Sequence, residues 1–206
     1  TRHIQQNSLF FALKGPNFNG NSFVLQALES GAKYAVIDEV VHPTDKRFIL
    51  VDDVLETLQD LARFHRDYLG LPIIALTGSN GKTTTKELIH AVLKPHFKTV
   101  ATVGNLNNHI GVPLTLLSMT AETEIGIVEM GANHAKEIAT LCEIAKPNMG
   151  YITNFGKAHL EGFGSEENIV KAKSELYDYL KSNSGLIILN SDDAKQVAQV
   201  GDYDTV

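Results

Sequence analysis

The sequence predicts an α/β protein, with a small N-terminal α/β domain followed by a larger domain whose mostly parallel sheet is flanked by helices. Three observations carry this. Short apolar runs alternate with amphipathic stretches along most of the chain. A glycine loop, Thr77-Gly-Ser-Asn-Gly-Lys-Thr-Thr-Thr85, stands between one such run and a helical pattern. Polar residues gather just after several apolar runs, at the carboxyl ends of the strands, where an open parallel sheet gathers its ligands.

The elements follow in order. Leu9 to Leu13 reads as a strand, Lys14 to Asn21 as a Gly- and Asn-rich loop, Phe23 to Ser30 as a helix, and Tyr34 to Ile37 and Phe48 to Val51 as strands. Asp52-Asp53 offers an N-cap to a helix whose Val54, Leu55, Leu58, Leu61, Ala62 and Phe64 share a face, and Gly70 with Pro72 ends it. The domain boundary is expected there, giving domains 1–70 and 71–206. Beyond it the sequence predicts strands at Ile73 to Leu76, Thr99 to Thr102, Ile125 to Met130, Gly150 to Thr153 and Leu186 to Leu189. Helices are expected after the glycine loop, over Lys136 to Ala145 and over Glu166 to Leu180. His65 and His96 fall on helical stretches as surface or satisfied residues.

The glycine loop has the build of a phosphate cradle. Successive backbone N–H groups point inward in such a loop, the helix N-terminus adds positive potential, a lysine reaches the outer phosphates and a hydroxyl meets magnesium. Lys82 and Thr83 occupy those last two positions. The spacing departs from G-x-x-x-x-G-K-[ST], which would place its first glycine at Leu76. Gly78 takes its part here, and a nucleoside triphosphate is the expected ligand.

Charge and composition narrow the partners. Across 206 residues there are 18 Lys and Arg against 24 Asp and Glu, a net charge of −6, and no stretch joins basic residues with aromatics. That excludes a nucleic-acid footprint and suits an enzyme of small anionic substrates. The single cysteine, Cys142, lies inside an apolar helical pattern and reads as core. No apolar run approaches the roughly 20 residues of a membrane span, and Thr1-Arg-His-Ile lacks the order of a signal peptide, so the expected compartment is the cytoplasm. Without an initial methionine, and ending soon after a strand, the chain reads as a piece of something longer.

Among candidate functional residues, Glu129 ends an apolar strand and is placed to face the glycine loop, where a carboxylate holds magnesium directly or through water. His159 and Glu161 lie in a glycine-bounded polar loop, and His159 alone would more often be structural. Lys173 sits in a helical pattern, and composition alone reads it as a solvated lysine.

Four ordered motifs add a resemblance. Thr77 to Thr85, Gly104-Asn-Leu-Asn-Asn-His-Ile-Gly-Val-Pro-Leu-Thr-Leu-Leu117, Glu129-Met-Gly-Ala-Asn-His-Ala-Lys-Glu-Ile138 and Ala158-His-Leu-Glu-Gly-Phe-Gly-Ser165 together resemble the Mur ligases of peptidoglycan synthesis. Within that family the chain is most similar to the branch that adds D-alanyl-D-alanine to UDP-N-acetylmuramoyl-tripeptide. Thr1-Arg2, Ser8 to Gly15 and Phe18 to Phe23 look like the family's N-terminal domain, which binds the UDP-sugar. The resemblance implies a three-domain cytoplasmic ligase, expected to be a monomer, of which only the first two domains are present and the ATP-binding domain is cut short.

The site residues it implies are specific. Gly78, Ser79, Asn80, Gly81, Lys82, Thr83 and Thr84 would wrap the ATP phosphates, with Asn190 and Asp193 at the edge of the adenine pocket. Thr83 and Glu129 would share one Mg2+ and His159 would serve a second. Lys173 would become a carbamate with CO2 and so a metal ligand, making Lys82, His159 and Lys173 the catalytic set. Asn105, Asn107 and Asn108 would position the acceptor carboxylate and phosphates, while Arg2, Lys14 and Asn19 would meet the UDP-substrate. Phe155 departs from the aliphatic residue expected in Thr153-Asn-Phe-Gly156, a matter of local packing. MurE-type or folylpolyglutamate-type ligases share the glycine loop and the lysine. A P-loop kinase or GTPase would need the missing spacing and an Asn-Lys-x-Asp element, and a non-catalytic nucleotide-binding module is the third alternative for an isolated piece.

Overall fold

The computed structural model describes residues 4–40, 45–156 and 163–206, and these fall into two compact units, Thr1–Leu61 and Ala62–Val206. In the first, strands β1 (Leu9–Phe11), β4 (Tyr34–Ile37) and β5 (Phe48–Leu50) form a parallel three-stranded sheet in the order β1-β4-β5. The segment expected as an open loop instead contains a hairpin, β2 (Lys14–Gly15) against β3 (Phe18–Asn19), with Lys14 paired to Asn19. A 3-10 turn (Gly20–Phe23) leads into α1 (Val24–Glu29). Gly20 has no room for a side chain, since a Cβ there would lie 2.5 Å from the Ala12 carbonyl carbon. Val24, Ala27, Leu28, Ala35 and Ile37 make the small core.

The division between the units falls inside α2 (Val54–Leu69). Asp53 caps this helix as its sequence suggests, its carboxylate accepting from the Glu56 N–H at 2.8 Å. Toward its end Ala62 and Leu69 belong to the larger unit's core, and Arg66 donates to the carbonyls of Ala145 and Lys146 at 2.9 and 3.0 Å. Those are carbonyls that a helix C-terminus leaves without intrahelical partners.

The larger unit is built on five strands, all parallel: β6 (Ile73–Thr77), β7 (Thr99–Ala101), β8 (Ile125–Glu129), β9 (Met149–Ile152) and β10 (Leu186–Ile188), in the order β10-β9-β6-β8-β7. Every residue of β6 is buried, as a strand covered by helices on both faces requires. The helices are α3 (Lys82–Leu93), α4 (Gly111–Leu117), α5 (Glu137–Ala145), α6 (Glu166–Ser182) and α7 (Ala194–Val200). Neither α4 nor α7 was expected from the sequence. Pro113 reads as a breaker, yet it is the third residue of α4, where a backbone N–H has no intrahelical partner to lose. Cys142 is buried in this core beside Met130, and Phe155 packs into the same cluster. His65 is satisfied, its Nε2 lying 2.9 Å from the Met119 carbonyl. The outer edge of β10 is covered by residues near 205: Val206 donates to Ile187 at 3.0 Å and accepts from Leu189 at 2.9 Å.

Candidate functional site

Because all five strands run the same way, their carboxyl ends, and the segments that leave them, lie on one edge of the sheet. Thr77 ends β6 and opens into the glycine loop. Gly78 adopts φ +141° and Gly81 φ +78°, conformations a side chain disfavours, and a Cβ on Gly78 would run into the Thr153 side chain at the end of β9. The loop is stitched to that neighbouring strand end. Ser79 N–H donates to the Asn154 carbonyl at 3.1 Å, Thr153 Oγ1 donates to the Asn80 carbonyl at 2.6 Å, and Ser79 Oγ donates to the Gly156 carbonyl at 2.7 Å. A cradle held this way keeps its shape without a ligand. The hydroxyl of Thr77, at the mouth of the loop, is buried and finds no hydrogen-bond partner among the described residues.

Lys82 begins α3 and folds back over the loop, donating to the carbonyls of Gly78 at 2.7 Å and Ser79 at 3.3 Å. Burial lowers the pKa of its ammonium, which the Glu129 carboxylate partly offsets. Thr83 follows, and its Oγ1 donates to Glu129 Oε2 at 3.0 Å. The other oxygen of Glu129 accepts from Asn107 Nδ2 at 2.8 Å, and its backbone N–H donates to Thr102 Oγ1 at 3.0 Å. The strand-end logic thus brings Thr83, Glu129 and Asn107 together on one spot.

A hydroxyl and one carboxylate are a spare oxygen set, and no group of three His, Cys, Asp or Glu side chains able to hold a metal occurs among the described residues. Magnesium suits such a set, since it keeps several waters and takes one or two carboxylates together with substrate phosphates. A zinc-type cage is not formed by these residues.

Beside this spot opens a cleft of about 570 Å³ lined by Lys82, Asn105, Asn107, Asn108, His109, Lys136 and Glu137, among others. Asn105 is exposed on it. Asn108 does a local job as well, its Oδ1 accepting from the N–H groups of Ile110 and Gly111 at 3.1 and 2.9 Å at the start of α4. Lys136, which the sequence did not single out, enters α5 with φ +69°, a left-handed conformation unusual for lysine. Glu175 of α6 holds that turn, accepting from the N–H groups of Lys136 at 2.6 Å and Ala139 at 2.9 Å.

Lys173 is not a solvated helix lysine: only 1% of it is exposed. Its ammonium reaches the Ala132 carbonyl at 3.2 Å and stands 5.4 Å over the Phe163 ring. Burial, with Lys82's charge adding to it, brings its pKa down to about 8 against the opposing pull of Glu137 and Glu175.

The remaining candidates sort unevenly. Thr84 is exposed on α3. Asn190 and Asp193 follow β10 on the same edge of the sheet, but Asp193 caps α7, accepting from Lys195 N–H at 3.0 Å and Gln196 N–H at 3.4 Å. In the smaller unit Lys14 is paired with Asp38 and Glu39, each at 2.9 Å, and Asn19 donates to Glu39 at 3.1 Å. His159 and Arg2 lie outside the described residues.

Comparison with known proteins agrees with this geometry. Residues 76–204 match the Mur ligase middle domain. The chain is 45% identical over 200 residues to a Bacillus subtilis (strain 168) protein and 40% identical over 192 residues to an Escherichia coli (strain K12) protein, both named UDP-N-acetylmuramoyl-tripeptide--D-alanyl-D-alanine ligase. These alignments take in 96% and 93% of this chain but 44% and 42% of those proteins, so the chain spans less than half their length. Among solved structures, the MurF ligase of Thermotoga maritima in complex with ADP superposes with a TM-score of 0.88 at 34% identity, over 99% of this chain and 48% of that one. With the glycine loop, the strand-end carboxylate and the buried lysine arranged on one parallel sheet, and with relatives of this identity across nearly its whole length, the chain belongs to the Mur ligase family.

Proposed function

We propose that the protein carrying this chain is a cytoplasmic ATP-dependent ligase that joins D-alanyl-D-alanine to UDP-N-acetylmuramoyl-tripeptide in peptidoglycan precursor synthesis. The observation that carries this reading is the hydrogen-bonded cluster of Thr83, Glu129 and Asn107 beside a cleft that Lys82 and Asn107 line, in a chain so similar to ligases of that name.

The chemistry fits the residues. A carboxylate must be activated before an amine can displace its oxygen. Its oxygen attacks the γ-phosphorus of ATP, ADP leaves, and an acyl phosphate forms; the amine then attacks the acyl carbon, phosphate leaves and the amine gives up a proton. Both steps press anions together. The loop N–H groups and Lys82 bind and neutralise the phosphates, which requires Lys82 to exchange its loop carbonyls for phosphate oxygens. Thr83 and Glu129 would hold Mg2+, which when bound would supply positive charge to offset the crowded anions. Asn105 and Asn107 orient the acceptor carboxylate from the cleft wall.

Lys173 has the properties that carbamate formation needs. Only a neutral amine adds to CO2, and a pKa near 8 leaves a usable neutral fraction at physiological pH. The product is an anionic oxygen donor beside Lys82. His159 belongs to this reading as the group serving a second Mg2+, Asn190 and Asp193 as the edge of the adenine pocket, and Arg2, Lys14 and Asn19 as the UDP-substrate contacts of the N-terminal domain. Each of these rests on the family resemblance.

The test is Lys82→Ala in the full-length protein. Magnesium-dependent ATP turnover should fall by about 10³-fold or more, as expected when a transition-state phosphate contact is lost. Unchanged turnover would remove the glycine loop from the reaction.

A further inference from the structure

Lys86 is a buried charge on the helix that follows the glycine loop, and the proposed chemistry leaves it unused. It lies on α3 one turn beyond Thr83, and only 1% of it is exposed. Its ammonium donates to the Thr102 carbonyl at 2.6 Å and meets Glu87 Oε1 at 2.7 Å. Burying an ammonium mid-helix is unfavourable unless it is well partnered, and an apolar side chain of similar length would join helix to strand without that cost. The partner it takes is informative. Thr102 follows β7, and its hydroxyl is the acceptor for the Glu129 backbone N–H at 3.0 Å. Glu129 in turn accepts from Thr83, back on α3.

We propose that Lys86 is a positioning residue for the Glu129 carboxylate, closing a hydrogen-bonded ring that runs from α3 through Thr102 and Glu129 and returns to α3 at Thr83. The proposal rests on the reading of Glu129 as a magnesium ligand. The ring fixes three elements at once. Lys86 sets the height of α3 against the end of β7, Thr102 sets the end of β7 against the end of β8, and Thr83 meets the carboxylate so placed. Asn107 holds the second carboxylate oxygen, so Glu129 has little rotational freedom left. Lys86 touches no metal or substrate itself; it acts on the ion through the Thr102 main chain. Residues of this kind alter metal affinity without being ligands.

The experiment uses the full-length protein and follows binding as well as activity. Mn2+ is titrated into protein saturated with a non-hydrolysable ATP analogue, and free Mn2+ is read by its electron paramagnetic resonance signal. Lys86→Met should weaken Mn2+ binding by about tenfold and raise the Mg2+ needed for half-maximal turnover to match, with KM for the UDP-substrate within about twofold. Thr102→Val, which removes the acceptor but little volume, should act in the same direction, and the double variant should be no weaker than the poorer single one. Mn2+ affinity within twofold of wild type in Lys86→Met, or in Thr102→Val should the first variant not fold, would overturn the proposal and leave Lys86 as packing alone. Strictly additive effects in the double variant would also overturn it, since a ring can be broken only once. Glu129→Gln tests the underlying reading separately. If it leaves Mn2+ affinity intact, Glu129 is not a ligand, whatever Lys86 does.

Discussion

Two helices of the larger unit each sink a lysine into the protein to the same depth, and they treat it in opposite ways. On α3, Lys86 meets a carbonyl at 2.6 Å and a carboxylate at 2.7 Å. On α6, Lys173 has among the described residues one longer bond of 3.2 Å to a carbonyl and a ring face at 5.4 Å, with another lysine as an electrostatic neighbour opposed by Glu137 and Glu175. Depth does not decide what a buried amine is for; its partners do. A tightly partnered one serves as a strut. An underpartnered one beside a like charge is poised to lose its proton, and so to react.

Three measurements on the full-length protein would break or sharpen that contrast. The largest effect belongs to Lys173→Ala, which should lower turnover by about 10³-fold, with partial recovery when a short carboxylate such as acetate or propionate is supplied to replace the lost anion. Wild-type turnover without any supplement would return Lys173 to the status of a structural lysine.

Next comes the pH dependence of stability, compared between wild type and Lys173→Met in CO2-depleted buffer. The folded-state pKa of Lys173 is lowered from the ordinary 10.5 to about 8. Below pH 8 the amine is protonated in both folded and unfolded chains, and the folded one carries the full penalty of burying the charge. From about pH 8 to 10.5 the unfolded chain binds the extra proton, so stability rises with pH and the penalty is relieved. At about 1.4 kcal/mol per tenfold in proton affinity, the penalty below pH 8 is roughly 3 kcal/mol. The Met variant should therefore be the more stable protein at pH 7, by an amount that shrinks steadily above pH 8. A difference in denaturation midpoint that does not vary with pH would show that burial does not lower the proton affinity of Lys173 as described.

The smallest effect is expected for Glu87→Gln. That carboxylate is mostly exposed, and a pair of which one member faces water stabilises little. Mn2+ affinity should stay within twofold of wild type, because the Thr102 carbonyl still fixes Lys86. A loss as large as that of Lys86→Met would move the strut's anchor from the main chain to the surface.

The contrast also marks how far sequence reading reaches. The glycine loop was legible because its chemistry depends on consecutive residues: a strand, glycines with left-handed backbone, a lysine and a hydroxyl. Glu129 was legible because a parallel sheet places every strand end on one edge. Lys86 was not, since a lysine at the centre of a helix usually reaches water, and nothing in its neighbours announces that β7 ends against it. For Lys173 the residues alone gave the wrong environment, a solvated helix face, and only the family resemblance pointed to the site. The missed elements have local causes. Pro113 disguised α4, and the hairpin pairing Lys14 with Asn19 is too short to show an alternating pattern. The lysine at Lys136 hid a backbone conformation that a glycine there would have advertised.

The strand edges of the larger sheet carry one more consequence. An unpaired edge offers a row of donors and acceptors to any other chain that arrives extended. At β10 that row is taken up by the chain's own residues around Thr205, bonded to Ile187 and Leu189, with the Tyr203 hydroxyl donating to the Gly185 carbonyl at 2.7 Å. The short stretch from Tyr203 to Val206 therefore occupies the pairing groups of the β10 flank, and a chain cut just before it would leave that flank open to pairing with another extended chain.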